Sequence, residues 1–392
     1  MGPASTATEA ESSGVARSLP SSGAKGYTLC GDAGAEARIA LDLSTIVAAV
    51  EARLGPRLRA LLLVGGYARG EGSVVARGGE LGPFNDYDLV AVVRGRASPL
   101  RGVLAEMGHA LTPRIGVDVD LLPFSEDDLA RVPATLFWLD AALGGLRVVS
   151  GPSAIQGCVR RFTARRVPLE ECGRLLSNRA VGLALSNLEP SAGNEERMAR
   201  HGHKAALACG DARLLACDRY RSTHAEKLAE LERLQGSPSV GSDLVSAYRD
   251  ATAFRSRPDL WRPPGGDLIA WYVQVRALVA RSHLDHEAWR VGAPAEPRAF
   301  ARWPGRVFRD LPDVRAGTAP LAALRAAIER AAPLFPYVGH PRERLARVAV
   351  ALAYGHEDPP SRAAAASLLG VSEGATDSML HARLQALLQR GG

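Results

Sequence analysis

Two aspartates, Asp86 and Asp88, stand at alternate positions at the start of an apolar segment that runs to Val93. In a β-strand, alternate side chains point to the same face, so we expect the two carboxylates to lie side by side. Ionised carboxylates at that separation repel one another, and burying them without a partner is costly. A divalent cation between them removes both penalties, and hard oxygen ligands suit Mg²⁺ or Mn²⁺. An exposed edge strand with a solvated acidic face would explain the same residues without a metal.

A glycine-rich turn with the sequence GGYARGEG, residues 65–72, follows an apolar segment that reads as a buried strand. Glycine lets the backbone approach a ligand closely, and free N–H groups in such a turn can hold phosphate oxygens. The spacing matches neither the dinucleotide-binding GxGxxG nor the P-loop GxxxxGK[ST]. The turn therefore indicates phosphate binding in general, not one of these two motifs.

A second pair of alternating acids, Asp118 and Asp120, lies in the segment VDVDL at residues 117–121. We expect a strand over residues 115–122, with both carboxylates on one face. If this strand lies beside the one that carries Asp86 and Asp88, three or four carboxylates converge. Such a cluster is typical of a metal site or a proton-transfer site.

Together these features resemble the nucleotidyltransferase superfamily of the DNA polymerase beta type. The similarity is greatest to the minimal and the aminoglycoside nucleotidyltransferases of bacteria. Their pattern is an apolar strand, Gly-Gly or Gly-Ser, a short helix, and then Asp-x-Asp in an apolar strand. Here it corresponds to Gly65-Gly66, the segment ARGE at residues 68–71, and Asp86-Tyr87-Asp88, with a later strand aspartate. The resemblance covers residues 58–125, about a sixth of the chain.

The resemblance implies a role for each matching residue. Gly65, Gly66 and the following N–H group of Tyr67 would hold the β- and γ-phosphates of a nucleoside triphosphate. Asp86 and Asp88 would bridge two Mg²⁺ ions, for which Mn²⁺ is an alternative.

The third carboxylate would bind the first ion and accept the proton of an acceptor hydroxyl group. Asp120 matches that position best, and Asp118 is the alternative. Arg69 would contact a phosphate or support the residues that do.

The chain departs from the family pattern between Gly66 and Asp86, where residues 73–83 form an insertion. We expect this insertion to be a loop over the nucleotide. In the helical half, Lys204 is expected to meet a phosphate, and Asp211 to contact the acceptor. An alternative for the second residue is a simple helix junction, with Gly210-Asp211 as its turn.

The organisation along the chain predicts an α/β nucleotidyltransferase domain, with a mixed sheet and flanking helices, followed by an all-helical region. Residues 1–26 contain few large apolar side chains and are predicted to be disordered. Residues 27–158 form the predicted catalytic domain and residues 159–392 the helical region, with a further boundary near residues 257–266.

Periodicity and turn signals predict the individual elements. In the first domain we expect a helix over residues 36–54, a helix over 100–111 ended by Pro113, and strands over 58–64, 89–93, 115–122 and 146–149. In the helical region we expect helices over residues 169–188, 195–207, 212–234, 244–254, 268–282, 321–331, 342–354 and two within 361–389.

Composition excludes several classes of protein. No apolar run is long enough to span a bilayer, and there is no secretory signal. The five cysteines are scattered without a CxxC pair, which indicates a reducing compartment and predicts a cytoplasmic location. The net charge of +6 favours anionic partners, but the arginines alternate with acids and form no nucleic-acid patch.

The sequence therefore predicts a bacterial, Mg²⁺-dependent nucleotidyltransferase. It would transfer a nucleoside monophosphate to a hydroxyl of a small-molecule or macromolecular acceptor and release pyrophosphate. An RNA acceptor stays open because of the basic pI. The alternative is a non-catalytic module of the same fold, such as a regulator or antitoxin that binds a nucleotide or a partner.

Overall fold

A computed structural model describes residues 26–188, 194–237, 240–308 and 341–391. Of the segment predicted to be disordered, only Gly26 is described. The helix predicted over residues 321–331 also lies outside the described residues. No helix in the described ranges is both long and apolar enough to cross a bilayer.

The first half of the chain is a small mixed sheet with flanking helices. Four strands pair in the order β5-β4-β1-β6, in which only β4 and β5 are parallel. The remaining two strands form a separate antiparallel hairpin. The strands are β1 (Leu58–Val64), β2 (Val74–Arg77), β3 (Glu80–Pro83), β4 (Tyr87–Val93), β5 (Val119–Ser125) and β6 (Leu146–Ser150).

Helices flank this sheet and then make up the rest of the described chain. Those beside the sheet are α1 (Ala33–Leu54), α2 (Gly65–Arg69), α3 (Arg101–Ile115), α4 (Glu126–Ala130) and α5 (Leu136–Ala142). The helical region contains α6 (Glu170–Leu188), α7 (Glu195–Ala216), α8 (His224–Leu234), α9 (Ser242–Ser256), α10 (Leu268–Val291), α11 (Pro297–Arg302), α12 (Pro341–Tyr354), α13 (Pro359–Leu369) and α14 (Asp377–Gly391).

Both faces of the sheet are buried, which explains why its central strands are almost continuously apolar. In β1, Leu61 and Leu63 pack in one cluster with residues of α1 and α3. Leu62 and Val64 of the same strand point the other way and pack with Leu129 and Trp138 of α4 and α5. One apolar cluster in the helical region contains residues from both sides of the 257–266 connector, and the boundary predicted there stays a prediction.

The predicted break at Pro113 is wrong, because α3 continues through this residue to Ile115. Pro113 lies in the last turn, where it lacks the N–H group that would donate to the carbonyl oxygen of His109, and Gly116 (φ +91°) ends the helix after Ile115. The next strand consequently begins at Val119 instead of residue 115.

The predicted helix boundary at Gly210-Asp211 is also wrong. Both residues lie inside α7, and the chain turns at residues 217–223. Gly210 serves close packing: a Cβ there would lie 2.3 Å from Cδ2 of Tyr248 on α9. The glycine thus lets two helices approach each other, and the sequence gives the same signal for that role as for a turn.

The insertion at residues 73–83 is the hairpin β2–β3 and not an irregular loop. Its base is closed by Phe84 N–H, which donates to the Ser73 carbonyl oxygen (3.1 Å). Strand β3 packs against α1, and the Ala76 N–H donates to Asp259 in the 257–266 connector. The hairpin therefore joins α1 to the helical region, and residues 73–83 are absent from the lining of the cleft described below.

A closed chain of polar contacts, here called the polar ring, joins the glycine turn to the helical region. Its first part centres on Glu71, which is 3% exposed. The Glu71 carboxylate accepts from Nε of Arg69 (3.0 Å) and from the backbone N–H of His224 at the start of α8 (2.7 Å). Arg69 also reaches Asp140 of α5 (Nη1 to Oδ2, 3.5 Å).

The second part of the polar ring centres on Lys227, whose side chain is 1% exposed. Its ammonium group donates to Asp211 (3.0 Å) and to the hydroxyl of Tyr220 (2.8 Å), which in turn donates to Asp140 (2.9 Å). The Tyr248 hydroxyl donates to Asp211 (2.9 Å). Because that hydroxyl has only one proton, Nδ1–H of His224 must donate to its oxygen (3.0 Å), which closes the ring.

We expect Lys227→Met to destabilise the fold by about 3 kcal/mol, because it leaves the buried Asp211 and Tyr220 without their shared donor. The measurement is the Tm followed by circular dichroism. Arg233→Met, on the same helix, is the matched control: its side chain is 72% exposed, so losing its pair with Glu230 costs less than about 1 kcal/mol. Equal losses in the two variants would contradict a structural role for the polar ring.

Candidate metal centre and cleft

Three of the predicted carboxylates converge. One oxygen from each of Asp86, Asp88 and Asp120 lies within 4.8 Å of the other two, and this cluster could hold a metal ion. Asp118 is outside it, although its charge helps to raise the pKa of Asp120.

The pairing of the strands explains why these residues meet. β4 and β5 run parallel, and Asp88 lies directly opposite Asp120 in their register. Directly opposed residues share a face of the sheet. Asp86 precedes β4, and Asp118 precedes β5, where its carbonyl oxygen accepts the N–H of Tyr87 (2.9 Å). The metal cluster therefore combines two strand residues with one residue of the loop before β4.

The electrostatics of the cluster disfavour three ionised carboxylates. The pKa of Asp88 is raised from 3.8 to about 7, first by burial and then by the charges of Asp86 and Asp120, while Lys204 and Arg69 oppose the shift. The pKa of Asp120 is also raised, first by burial and then by Asp86 and Asp118. A cation bound to the cluster would stabilise the ionised carboxylates and reverse this effect.

The glycine turn lies against the acidic cluster. Gly65 has φ +75°, a conformation that favours glycine, and a Cβ there would lie 2.8 Å from Oδ2 of Asp88. A Cβ on Gly66 would lie 2.3 Å from Nη2 of Arg255, at the end of α9. The first glycine thus contacts the acidic cluster and the second contacts a guanidinium group.

Tyr67 is buried beneath the turn. Its hydroxyl donates to the Ser73 carbonyl oxygen (3.0 Å) and accepts the N–H groups of Phe84 and Asn85 (3.2 and 3.3 Å). The side chain therefore ties α2 to both ends of the hairpin and to the residue before Asp86. Its backbone role in phosphate binding stays a prediction, as does the predicted role of Arg69, whose side chain belongs to the polar ring.

A cavity of about 510 Å³ opens beside the cluster and the turn. This volume is in the range of ordinary small-molecule sites, about 300–1,000 Å³. The sheet side supplies Gly65, Gly66, Asp86 and Asp88, and helices α5, α6 and α7 supply an apolar wall. The residues of that wall are Leu136, Phe137, Leu175, Leu207 and Ala208.

Lys204 of α7 lines the same cavity and has no hydrogen-bond or ion-pair partner within the described ranges. Its pKa is lowered to about 8, first by burial and then by the charge of Arg200, whereas the charge of Asp86 opposes the shift. Asp211 also lines the cavity, but both of its oxygens are engaged in the polar ring.

Among the cavity residues that sequence reasoning missed are Arg179 of α6 and Arg255 of α9. Burial lowers the pKa of both, and the Nε atom of each is buried without a partner. No local pattern distinguishes these two among the many arginines of the chain. They are recognisable only by the cavity they face.

No model of a known protein family matches this chain, and no curated protein sequence matches it. The nucleotidyltransferase resemblance therefore rests on the residues themselves.

We expect Asp88→Asn to raise the Tm of the metal-free protein, because it removes one of three repelling carboxylates. The folded pKa of Asp88 lies above 3.8, so its ionisation costs stability that grows as pH rises and is complete above about pH 7. The gain in Tm should therefore be larger at pH 8 than at pH 5. Melting curves in EDTA at the two pH values measure it.

Asp118→Asn is the control for this experiment, because Asp118 is exposed and lies outside the cluster. Its Tm should stay near that of the wild type at both pH values. If both variants shifted equally, the gain would reflect net charge and not the cluster.

We expect Gly65→Ala to abolish stabilisation by Mg²⁺, because the added Cβ displaces the Asp88 carboxylate. Gly95→Ala is matched to it: Gly95 has φ +77°, but a Cβ there meets nothing within 4 Å. Both substitutions should lower the Tm through a backbone cost of about 1–2 kcal/mol. Only Gly65→Ala should lose the rise in Tm on adding Mg²⁺, and the same loss in Gly95→Ala would refute the contact with Asp88.

Proposed function

We propose that this protein is a nucleotidyltransferase that moves a nucleoside monophosphate from a nucleoside triphosphate to an acceptor hydroxyl group. The observation that carries this proposal is the convergence of Asp86, Asp88 and Asp120 beside a glycine turn. The unpartnered Lys204 in the same cavity supports it, because it provides positive charge for a phosphate chain.

The three aspartates suit Mg²⁺ or Mn²⁺, since both ions prefer carboxylate oxygens. Their mutual repulsion and the raised pKa of Asp88 are what a cation would relieve. When bound, two such ions supply positive charge to the attacking and leaving oxygens of a phosphoryl transfer. Asp86 and Asp88 would hold both ions, and Asp120 would hold the first.

The remaining steps are assigned to the chain's own residues. The N–H groups of the glycine turn would hold the β- and γ-phosphates. The acceptor oxygen attacks the α-phosphorus, the bond from that phosphorus to the bridging oxygen breaks, and pyrophosphate leaves. Asp120, more exposed than Asp88, would accept the proton of the acceptor hydroxyl. Helices α5, α6 and α7 form the far wall of the cavity and would select the acceptor.

The test is pyrophosphate release from each of the four labelled nucleoside triphosphates with Mg²⁺, with and without candidate acceptors of small-molecule, protein and RNA classes. We expect Asp86→Asn and Asp120→Asn to reduce turnover on the order of 10²-fold or more, since each removes a ligand of the reacting centre. Asp118→Asn should retain turnover.

The outcomes separate the alternatives. Loss of turnover in Asp118→Asn but not in Asp120→Asn would assign the third carboxylate to Asp118. Binding of nucleotide with Mg²⁺ that Asp86→Asn abolishes, without turnover of any triphosphate, would instead support the non-catalytic module. Neither binding nor turnover would refute both.

A further inference from the structure

Three cations from three different helices face the cleft without any partner. They are Arg179 of α6, Lys204 of α7 and Arg255 of α9. None of them makes a hydrogen bond or ion pair with any residue in the described part of the chain. All three side chains are half-buried, and the Nε atoms of the two arginines are buried without a partner. Withdrawing unpaired charges from water is costly, and three at one cavity cost more than one.

The positive charges of these cations also repel one another, which lowers pKa values within the group. The pKa of Lys204 is lowered by burial and then by Arg200, Arg179 and Arg255, and burial and Arg255 lower that of Arg179. Lys227 lines the same cavity but differs from these three cations, because its ammonium group donates to Asp211 and Tyr220 of the polar ring. Among the described residues, the acids that act on these three cations do so without a hydrogen bond or ion pair: Asp86 on Lys204, Asp211 and Asp86 on Arg179, and Glu71 on Arg255.

The position of Arg255 connects these cations to the glycine turn. Its Nη2 lies where a Cβ of Gly66 would be, whereas Asp88 lies against Gly65. The glycine turn thus lies between the acidic cluster, which could hold a metal ion, and the guanidinium group of Arg255. A chain of phosphates lying along the turn would contact both.

We propose that Arg179, Lys204 and Arg255 form a polyphosphate seat, contributed by the helical region, that binds a chain of two or three phosphates without a divalent metal. Guanidinium groups suit this ligand, because their planar donors match phosphate oxygens in pairs. The inference rests on the proposed function only where it identifies the bound phosphates as the β- and γ-phosphates of the nucleoside triphosphate. Free pyrophosphate, the product of that reaction, would occupy the same seat.

The test is isothermal titration of the full chain with sodium tripolyphosphate and with pyrophosphate, in EDTA at pH 7. We expect binding with one site, weakened at least about tenfold by Arg179→Met or Arg255→Met, because each removes charged hydrogen bonds to phosphate. Arg255→Lys should keep part of the affinity. Arg249→Met is the control on α9, because Arg249 is 57% exposed and pairs with Glu232.

Stability separates a binding role from a structural one. Replacing a buried unpaired charge by an apolar group relieves a desolvation cost, so both methionine variants should melt at or above the wild-type temperature. A large drop in the Tm of both variants would assign the arginines to the fold and overturn the proposal, as would tripolyphosphate binding that survives both substitutions.

The inference and the proposed function can fail separately. If tripolyphosphate binds in EDTA and the methionine variants lose it, the seat exists even where no triphosphate is turned over. If nucleotidyl transfer occurs but polyphosphate does not bind without metal, the function stands and the seat is refuted. Asp86→Asn should lose turnover while still binding tripolyphosphate in EDTA.

Discussion

The parallel pairing of β4 with β5 is the constraint on which the site depends. It sets Asp88 opposite Asp120 and so creates a repulsion that neither strand has alone. The crossover helix α3 maintains this pairing, and it can approach β5 closely because residue 108 is glycine: a Cβ there would lie 2.2 Å from the Val119 carbonyl oxygen. The pairing of two short strands thereby determines where a cation could bind.

The paired and the unpaired charges of the cleft have different positions. Charges that belong to the fold are paired, as in the polar ring, where Lys227 and Arg69 meet Asp211, Asp140 and Glu71. Among the described residues that line the cleft, the charges without a partner are acidic on the sheet side and basic on the helical side. The proposed ligand, a metal-bound phosphate chain, would carry the opposite charge to each side.

Local patterns in the sequence predicted much of the sheet side of the site. Alternation placed Asp86 and Asp88 together, and the turn at Gly65 followed a strand that begins and ends at the predicted residues. The mixed sheet and the helical second half are confirmed, whereas the nucleotidyltransferase fold stays a proposal. The start of β5 was misplaced, because Pro113 was expected to break the helix, whereas α3 continues through it to Ile115.

The helical side was harder to predict for a physical reason. The buried Nε atoms of Arg179 and Arg255 have no hydrogen-bond partner among the described residues. The neighbouring sequence cannot predict this, because the absence of a contact does not depend on a local residue pattern. From the sequence, Gly210 could either form a turn or allow two helices to pack closely. The position of the Tyr248 ring in the structure shows that it allows close packing.

The contact between Glu71 and the first N–H of α8 has a consequence for dissecting the chain. A chain that ends at residue 158 would expose the carboxylate of Glu71 and the guanidinium of Arg69. It would also lack the backbone N–H of His224 at the start of α8, which donates to Glu71 in the whole chain. The sheet half expressed alone would therefore keep the contacts of Tyr67 and Arg69 but lose the contact that joins the glycine turn to α8. Fragments of this protein are poor substitutes for the whole chain, even when the fragment contains every aspartate of the cluster.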